Sequence, residues 1–189
     1  MRMIPYPSEI RLRCQLRPSD SRCDGMDLNP TGWLDCEIIQ HAHVLLRNIN
    51  PLMEGLQRPT LGPYRQFARV RGQFIYILHT GNDHWVLVSS VGSDDGRVNL
   101  YDSLFHNIVQ REVEEQVINL IGIENYIGLS VVPVQQQGNG SNCGVFSIAF
   151  ATSLISGIDP MTVQFVESEM RPHLYRCFRS GKLDTFPVF

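Results

Sequence analysis

Residues 135–146 read QQQGNGSNCGVF and set Cys143 between a flexible polar loop and a run that turns apolar at once. A cysteine there has two readings. It is either a small hydrophobe opening a buried helix, or a nucleophile with a loop built in front of it. In the first turn of a helix the backbone N–H groups lack partners and the macrodipole presents partial positive charge, so a thiolate is stabilised. Asn142 or Ser141 is the natural N-cap, and Gly138 and Gly140 allow a tight turn in front of it. Gln137, six residues before the cysteine, offers a side-chain N–H₂ toward the same point, and with the Cys143 amide it makes a candidate oxyanion hole.

A cysteine nucleophile needs a base, and the base needs an acceptor that orients it. The runs WVLVSS and RVNLY flank VGSDDG, whose Asp-Asp-Gly signals a hairpin turn. A five-residue turn centred on Ser93 pairs Val88 with Val98 and sets His84 opposite Asp102, so these two can meet with no assumption beyond the hairpin. The other histidines serve less well. His41 and His43 lie two apart on a predicted helix and diverge; His79 has no evident acid partner; His106 and His173 lie in polar surroundings and are expected to be exposed. Asp83, Asp94 and Asp95 read as turn residues. The residues alone leave both a Cys143–His84–Asp102 triad and an unreactive core cysteine beside an ordinary hairpin open.

The elements that must position these groups follow from periodicity. A helix is predicted from about Leu34 to Asn48, ended by Asn50-Pro51, then strands over 74–78, 85–90 and 97–101. Residues 109–121 carry Val109, Val113, Val117 and Leu120 on one stripe, as an amphipathic surface helix does. A strand over 130–135 is demoted to an edge by Pro133. CGVFSIAFATSLIS is apolar all round and is the central buried helix, stopped by Gly157 and Pro160; a last helix is predicted over 161–179. The fold class is α+β, a mostly antiparallel sheet packed on a central helix. Residues 1–26 read as an irregular arm and 27–189 as one domain.

The chain has 189 residues and a formal charge of −3, which gives no overall attraction to nucleic acid or to an anionic membrane. The basic tail of Arg171, Arg176, Arg179 and Lys182 reads as a solvated helix face. Five cysteines at 14, 23, 36, 143 and 177 fit no regular disulfide or zinc framework. The opening MRMIPYPSEIRLR has no apolar core of a signal peptide. An intracellular, monomeric protein with free thiols, no metal and no cofactor is the expectation, in nucleus or cytoplasm.

The combination of His84-Trp85 opening a strand, Tyr101-Asp102-Ser103 ending the next and Gln137-x5-Cys143-Gly144 opening a helix resembles the ubiquitin-like-protein-specific cysteine proteases, the family of the SUMO proteases with the adenovirus proteinase as a distant relative. WLDCEII at 33–39 looks like the family's Trp-Leu-Asn-Asp motif. The likeness spans about residues 28–157, and the tail after it looks like protease-like domains of eukaryotic mobile elements. The resemblance implies a papain-like fold and cleavage after the C-terminal Gly-Gly of a ubiquitin-like modifier, which would be the partner. It makes Cys143 the nucleophile, His84 the base, Asp102 the orienting acid and Gln137 the oxyanion donor, with Trp33 and Trp85 walling a narrow tunnel over the Gly-Gly tail. Two departures stand out: Asn142 where the family has Asp, and Asp35-Cys36 where it has Asn-Asp. Two other function classes fit the same residues, a non-catalytic module that holds modifier tails and an acyltransferase using the triad.

Overall fold

The computed structural model describes residues 32–122 and 128–189; the arm at 1–26 and the first residues of the domain after it lie outside them. Four helices and four strands follow in the order α1 (Cys36–Ile49), β1 (Ile75–His79), β2 (Trp85–Ser89), β3 (Arg97–Tyr101), α2 (Arg111–Ile121), β4 (Gly128–Val132), α3 (Cys143–Ile155) and α4 (Glu167–Ser180). The sheet runs β1-β2-β3-β4, antiparallel across its first two pairings and parallel between β3 and β4. β4 lies at one edge of the sheet, half-buried throughout, and Pro133 follows its last residue. The strand expected over 130–135 instead spans Gly128–Val132, ending before Pro133 because a proline cannot donate to a ladder.

The strands at 75–79 and 85–89 are apolar on both faces because both faces are covered. Ile75, Ile77, Trp85, Leu87 and Tyr101 pack with α1, α3 and α4 on one side. Tyr76, Leu78, Val86, Val88, Val98 and Leu100 meet Val113, Val117 and Leu120 of α2 on the other. α3 is buried from Cys143 to Ser153, which explains why it carries no polar stripe: it is enclosed by sheet and helices. The nucleophile candidate is thus the first residue of the most rigidly enclosed element.

Four details differ from expectation. In the β2–β3 hairpin Val88 pairs with Leu100, not Val98. The connection is longer than a five-residue turn, with Gly92 and Gly96 both left-handed, and the displacement of two residues keeps every side chain on its predicted face. The last helix starts at Glu167, not near 161. Pro160–Thr162 is one 3₁₀ turn, capped by Asp159 accepting from the Met161 amide (2.9 Å). Phe165 then runs extended, bridged to Val188 and held by both ends of the Gln135 amide (2.6 and 3.2 Å). Arg171, read as a solvated charge, is buried, because helix phase puts it on the stripe of Met170, Leu174 and Phe178. Cys143 and Cys177 are free thiols, but Cys36 is disulfide-bonded, a pairing set by approach in space rather than by spacing along the chain.

α1 begins at Cys36, two residues after the expected Leu34, because Asp35 is its N-cap and accepts from the amides of Glu37 (3.0 Å) and Ile38 (2.9 Å). Asp35→Ala is expected to cost about 1 kcal/mol, the usual loss for an N-cap, read as a lower urea midpoint at unchanged slope.

Candidate active site

Cys143 is the first residue of α3, and the first helical hydrogen bond runs from the Phe146 amide to the Asn142 carbonyl (2.9 Å). Neither expected cap forms through a side chain. Asn142 occupies the N-cap position but makes no capping hydrogen bond. Its Oδ1 instead accepts from Arg171 Nε (2.9 Å), and its Nδ2 donates to Glu167 (3.5 Å). A charged donor outcompetes a neutral amide for the same oxygen. First-turn N–H groups therefore stay available to a substrate oxygen. The preceding loop owes its shape to Asn139, not to its glycines: Asn139 Oδ1 accepts from the amides of Ser141 (2.9 Å) and Asn142 (3.1 Å). Neither Gly138 nor Gly140 takes a left-handed backbone.

His84 and Asp102 meet as the hairpin argument required, Nε2 to Oδ1 at 2.7 Å. The same Oδ1 accepts from the Leu104 amide (2.8 Å), which fixes the carboxylate. Burial opposes a charge on His84, but hydrogen bonds to the Asp102 carboxylate and the Cys143 sulfur, and the charges on both, carry its pKa up to about 9. With Nε2 given to Asp102, Nδ1 is the ring nitrogen left for the sulfur. The three candidate groups come from the end of β3, the turn into β2 and the start of α3.

The loops that bear Asp102 and Gln137 are joined to each other. The Gln137 amide donates to the Ser103 carbonyl (2.7 Å), Gln136 Nε2 to the Asp102 carbonyl (2.9 Å), and the Phe105 amide to Gln136 Oε1 (2.9 Å). Ser103 Oγ donates to Gln137 Oε1 (2.7 Å), so the buried Gln137 side chain directs its N–H₂ away from Ser103; here that group donates to the Asn139 carbonyl. Ser103 was part of a motif but had no role read for it. Its position next to the acid was the only signal.

The tryptophans differ. Trp33 is 52% exposed, whereas Trp85 is 3% exposed, edge-on to His79 with its indole N–H donating to the Leu34 carbonyl (2.8 Å). A Cβ on Gly144 would come within 3.0 Å of the Leu34 side chain, so glycine after the cysteine lets the Trp33-Leu34 segment lie against α3. Of the other histidines, His43 is buried, bonded at Nδ1 to the Gln57 carbonyl (2.8 Å) and at Nε2 to the Ile77 amide (3.4 Å). Burial pushes its pKa down to about 4, so it is a neutral packing residue. His106 is exposed; His173 is half-buried against Phe186.

Residues 64–176 match the model of the Ulp1 protease family, C-terminal catalytic domain. The chain belongs to this family. It is accordingly a cysteine protease of the ubiquitin-like-protein-specific kind. The matched span contains Trp85, His84, Asp102, Gln137 and Cys143; Trp33 lies before it. No curated protein matches the sequence. Among solved structures, the Ulp1 protease domain in complex with SMT3, the yeast ortholog of SUMO, is similar at TM-score 0.62 and 15% identity, covering 82% of this chain and 80% of that one. The Ulp1-like SUMO protease catalytic domain of Chaetomium thermophilum is similar at TM-score 0.56 and 18% identity, over 83% and 76%. The Xanthomonas campestris effector XopD bound to ubiquitin is similar at TM-score 0.55 and 15% identity, over 91% and 100%. At these identities the likeness is one of fold, and the family's papain-like α+β architecture is the one described above.

Proposed function

We propose that this protease hydrolyses the bond after the C-terminal Gly-Gly of a ubiquitin-like modifier, SUMO-like or related, with Cys143 as nucleophile, His84 as acid and base, and Asp102 as orienting acid. The observation that carries the reading is His84 bonded to Asp102 (2.7 Å), with the Asp102 carboxylate and the Cys143 sulfur at the start of α3 both raising its pKa. The Cys143 thiolate attacks the glycine carbonyl, and the oxygen takes up the negative charge against the Cys143 amide and Gln137 Nε2. The His84 imidazolium gives its proton to the leaving nitrogen as the C–N bond breaks, leaving a thioester. Water then attacks that thioester, His84 accepting its proton, and the thiolate is restored with release of the modifier's carboxylate.

Gln137 Nε2 must leave the Asn139 carbonyl to reach an oxyanion, and Ser103 keeps the correct end of the amide outward while it does so. Trp33 supplies a flat wall on the open side, and Trp85 serves from beneath by holding the Leu34 carbonyl. Flat walls admit a glycine backbone and reject branched side chains. That the family neighbours include complexes with a SUMO ortholog and with ubiquitin supports the choice of substrate class. Action inside the cell, as a monomer and without nucleic acid, membrane or cofactor, is part of the same proposal.

The test is labelling by a panel of ubiquitin-like proteins carrying a thiol-reactive C-terminus, with Cys143→Ala and His84→Ala beside the wild type. Labelling of the wild type by at least one member, lost in Cys143→Ala, is the expected result. A folded protein that labels with none overturns the modifier as substrate.

A further inference from the structure

Helix α4 grips the nucleophile loop with two side chains set one turn apart on the same face, Glu167 and Arg171. The Glu167 carboxylate accepts from the Gly138 amide (3.0 and 3.2 Å) and from Asn142 Nδ2 (3.5 Å). Arg171, 7% exposed, donates from Nε to Asn142 Oδ1 (2.9 Å), and from one terminal nitrogen to the carbonyls of Ser141 (2.9 Å) and Gly32 (2.6 Å). Ser141 and Asn142 lead directly into Cys143, and Gly32 leads directly into Trp33. One planar guanidinium therefore ties the loop before the sulfur to the segment that carries the exposed ring. A lysine, with a single point of charge, cannot match that fork.

We propose that Arg171 is a positioning residue for the proteolytic reaction, aligning the Trp33 segment with the nucleophile loop and placing a buried positive charge beside Cys143. The proposal rests on reading Cys143 as the nucleophile. Burying a guanidinium is costly unless its donors are met, and here they are met by groups on both sides of the substrate path. Burial lowers the Arg171 pKa and the charge of Cys143 raises it. The guanidinium is bonded to the two residues that lead into Cys143, so its charge is held on the nucleophile's side of the loop. The charged groups in the surroundings are His84 and Asp102 from the hairpin side, and Glu167 and Arg171 from α4.

This arrangement gives the departure at position 142 a meaning. Asparagine uses its oxygen toward Arg171 and its nitrogen toward Glu167, bridging the two. Aspartate, the family's usual residue there, would lose the donor to Glu167, set two carboxylates side by side and neutralise the charge that Arg171 holds toward the sulfur. In this chain, restoring the family residue is expected to hurt.

The experiment measures Cys143 alkylation by iodoacetamide against pH, read at the Cys143 peptide by mass spectrometry, in wild type, Arg171→Met, Arg171→Lys and Asn142→Asp. Alongside it, kcat/KM is taken on a modifier the wild type cleaves. The midpoint of alkylation is expected to rise by about one pH unit in Arg171→Met and in Asn142→Asp, as loss of a neighbouring charge requires. It stays near the wild-type value in Arg171→Lys, which keeps the charge but not the fork, while kcat/KM falls about tenfold or more through misplacement. An unmoved midpoint in folded Arg171→Met overturns the electrostatic role, and if that variant does not fold, an unmoved or lower midpoint in Asn142→Asp does the same. Full kcat/KM in Arg171→Lys overturns the positioning role. Alkylation needs no modifier, so failure of this proposal and failure of the substrate assignment are separable: a shifted midpoint in a protein that cleaves no modifier sinks only the latter.

Discussion

Cys143→Ser is expected to lower hydrolysis by about 10⁴-fold or more while leaving the fold intact, since nucleophile replacement in a triad removes nearly all catalysis above what oxyanion stabilisation and binding supply. The reason lies in the state of His84. A histidine whose pKa stands near 9 is protonated at neutral pH, so it cannot take a proton from a nucleophile that still holds one. A thiol, ordinarily near 8.5, can already have yielded its proton to such a partner. A serine hydroxyl cannot. Serine nearly matches the shape of cysteine at a position that is fully buried, so packing changes little. Steady-state turnover and the circular dichroism melting curve are the two measurements. A serine variant that retains a tenth of wild-type turnover would remove Cys143 from the mechanism.

The second large effect is at Asp102, where two substitutions separate orientation from charge. Asp102→Ala leaves His84 Nε2 without its 2.7 Å acceptor, and a loss on the order of 10³-fold in kcat/KM is expected from a ring that no longer holds its place. Asp102→Asn keeps an acceptor oxygen but no charge, so a smaller loss is expected, with a changed pH profile. In the wild type the alkaline limb of kcat/KM falls as His84 loses its proton, with an apparent value of about 9 that belongs to the coupled His84–Cys143 pair. Asp102→Asn moves that limb to lower pH, because the carboxylate is one of the two groups that raise it.

Stability follows with a definite sign. The folded-state pKa of His84 lies above the ordinary value, so its pairing contributes fully below about pH 6.5 and is lost as pH rises through about 9. Thermal midpoints taken at pH 6 and pH 9.5 are expected to differ more in wild type than in Asp102→Asn. Equal pH sensitivity in the two proteins, or an alkaline limb that does not move, would show that Asp102 does not tune the base.

Much of the chemistry was legible in the chain because it depends on neighbours along the chain. Polar loop followed by uniform apolarity marks the start of α3, and Cys143 stands at that boundary. Asp35 two residues before Glu37 is a cap by local geometry. His84 and Asp102 meet through a hairpin whose turn residues can be read directly, and even a two-residue error in register left them in reach, since a shift of two preserves the face. The family motifs sit on these same local features.

What lay beyond the sequence depended on groups far apart in the chain. Asn142 has the composition of a cap, but it is claimed by α4, 29 residues on at Arg171. Arg171 looked like one of four surface charges; only the packing of α4 on the loop shows that it is buried and shared with Gly32. The start of α4 itself depended on Phe165 pairing with Val188 and on the amide of Gln135, and Gln137 is oriented by a serine 34 residues earlier. Caps, turns and periodicity are short-range, so they determined the elements and the identity of the reacting groups. The environment of those groups, which sets their charge and aim, is a sum over contacts that only the folded chain brings together, and that part the tertiary structure decided.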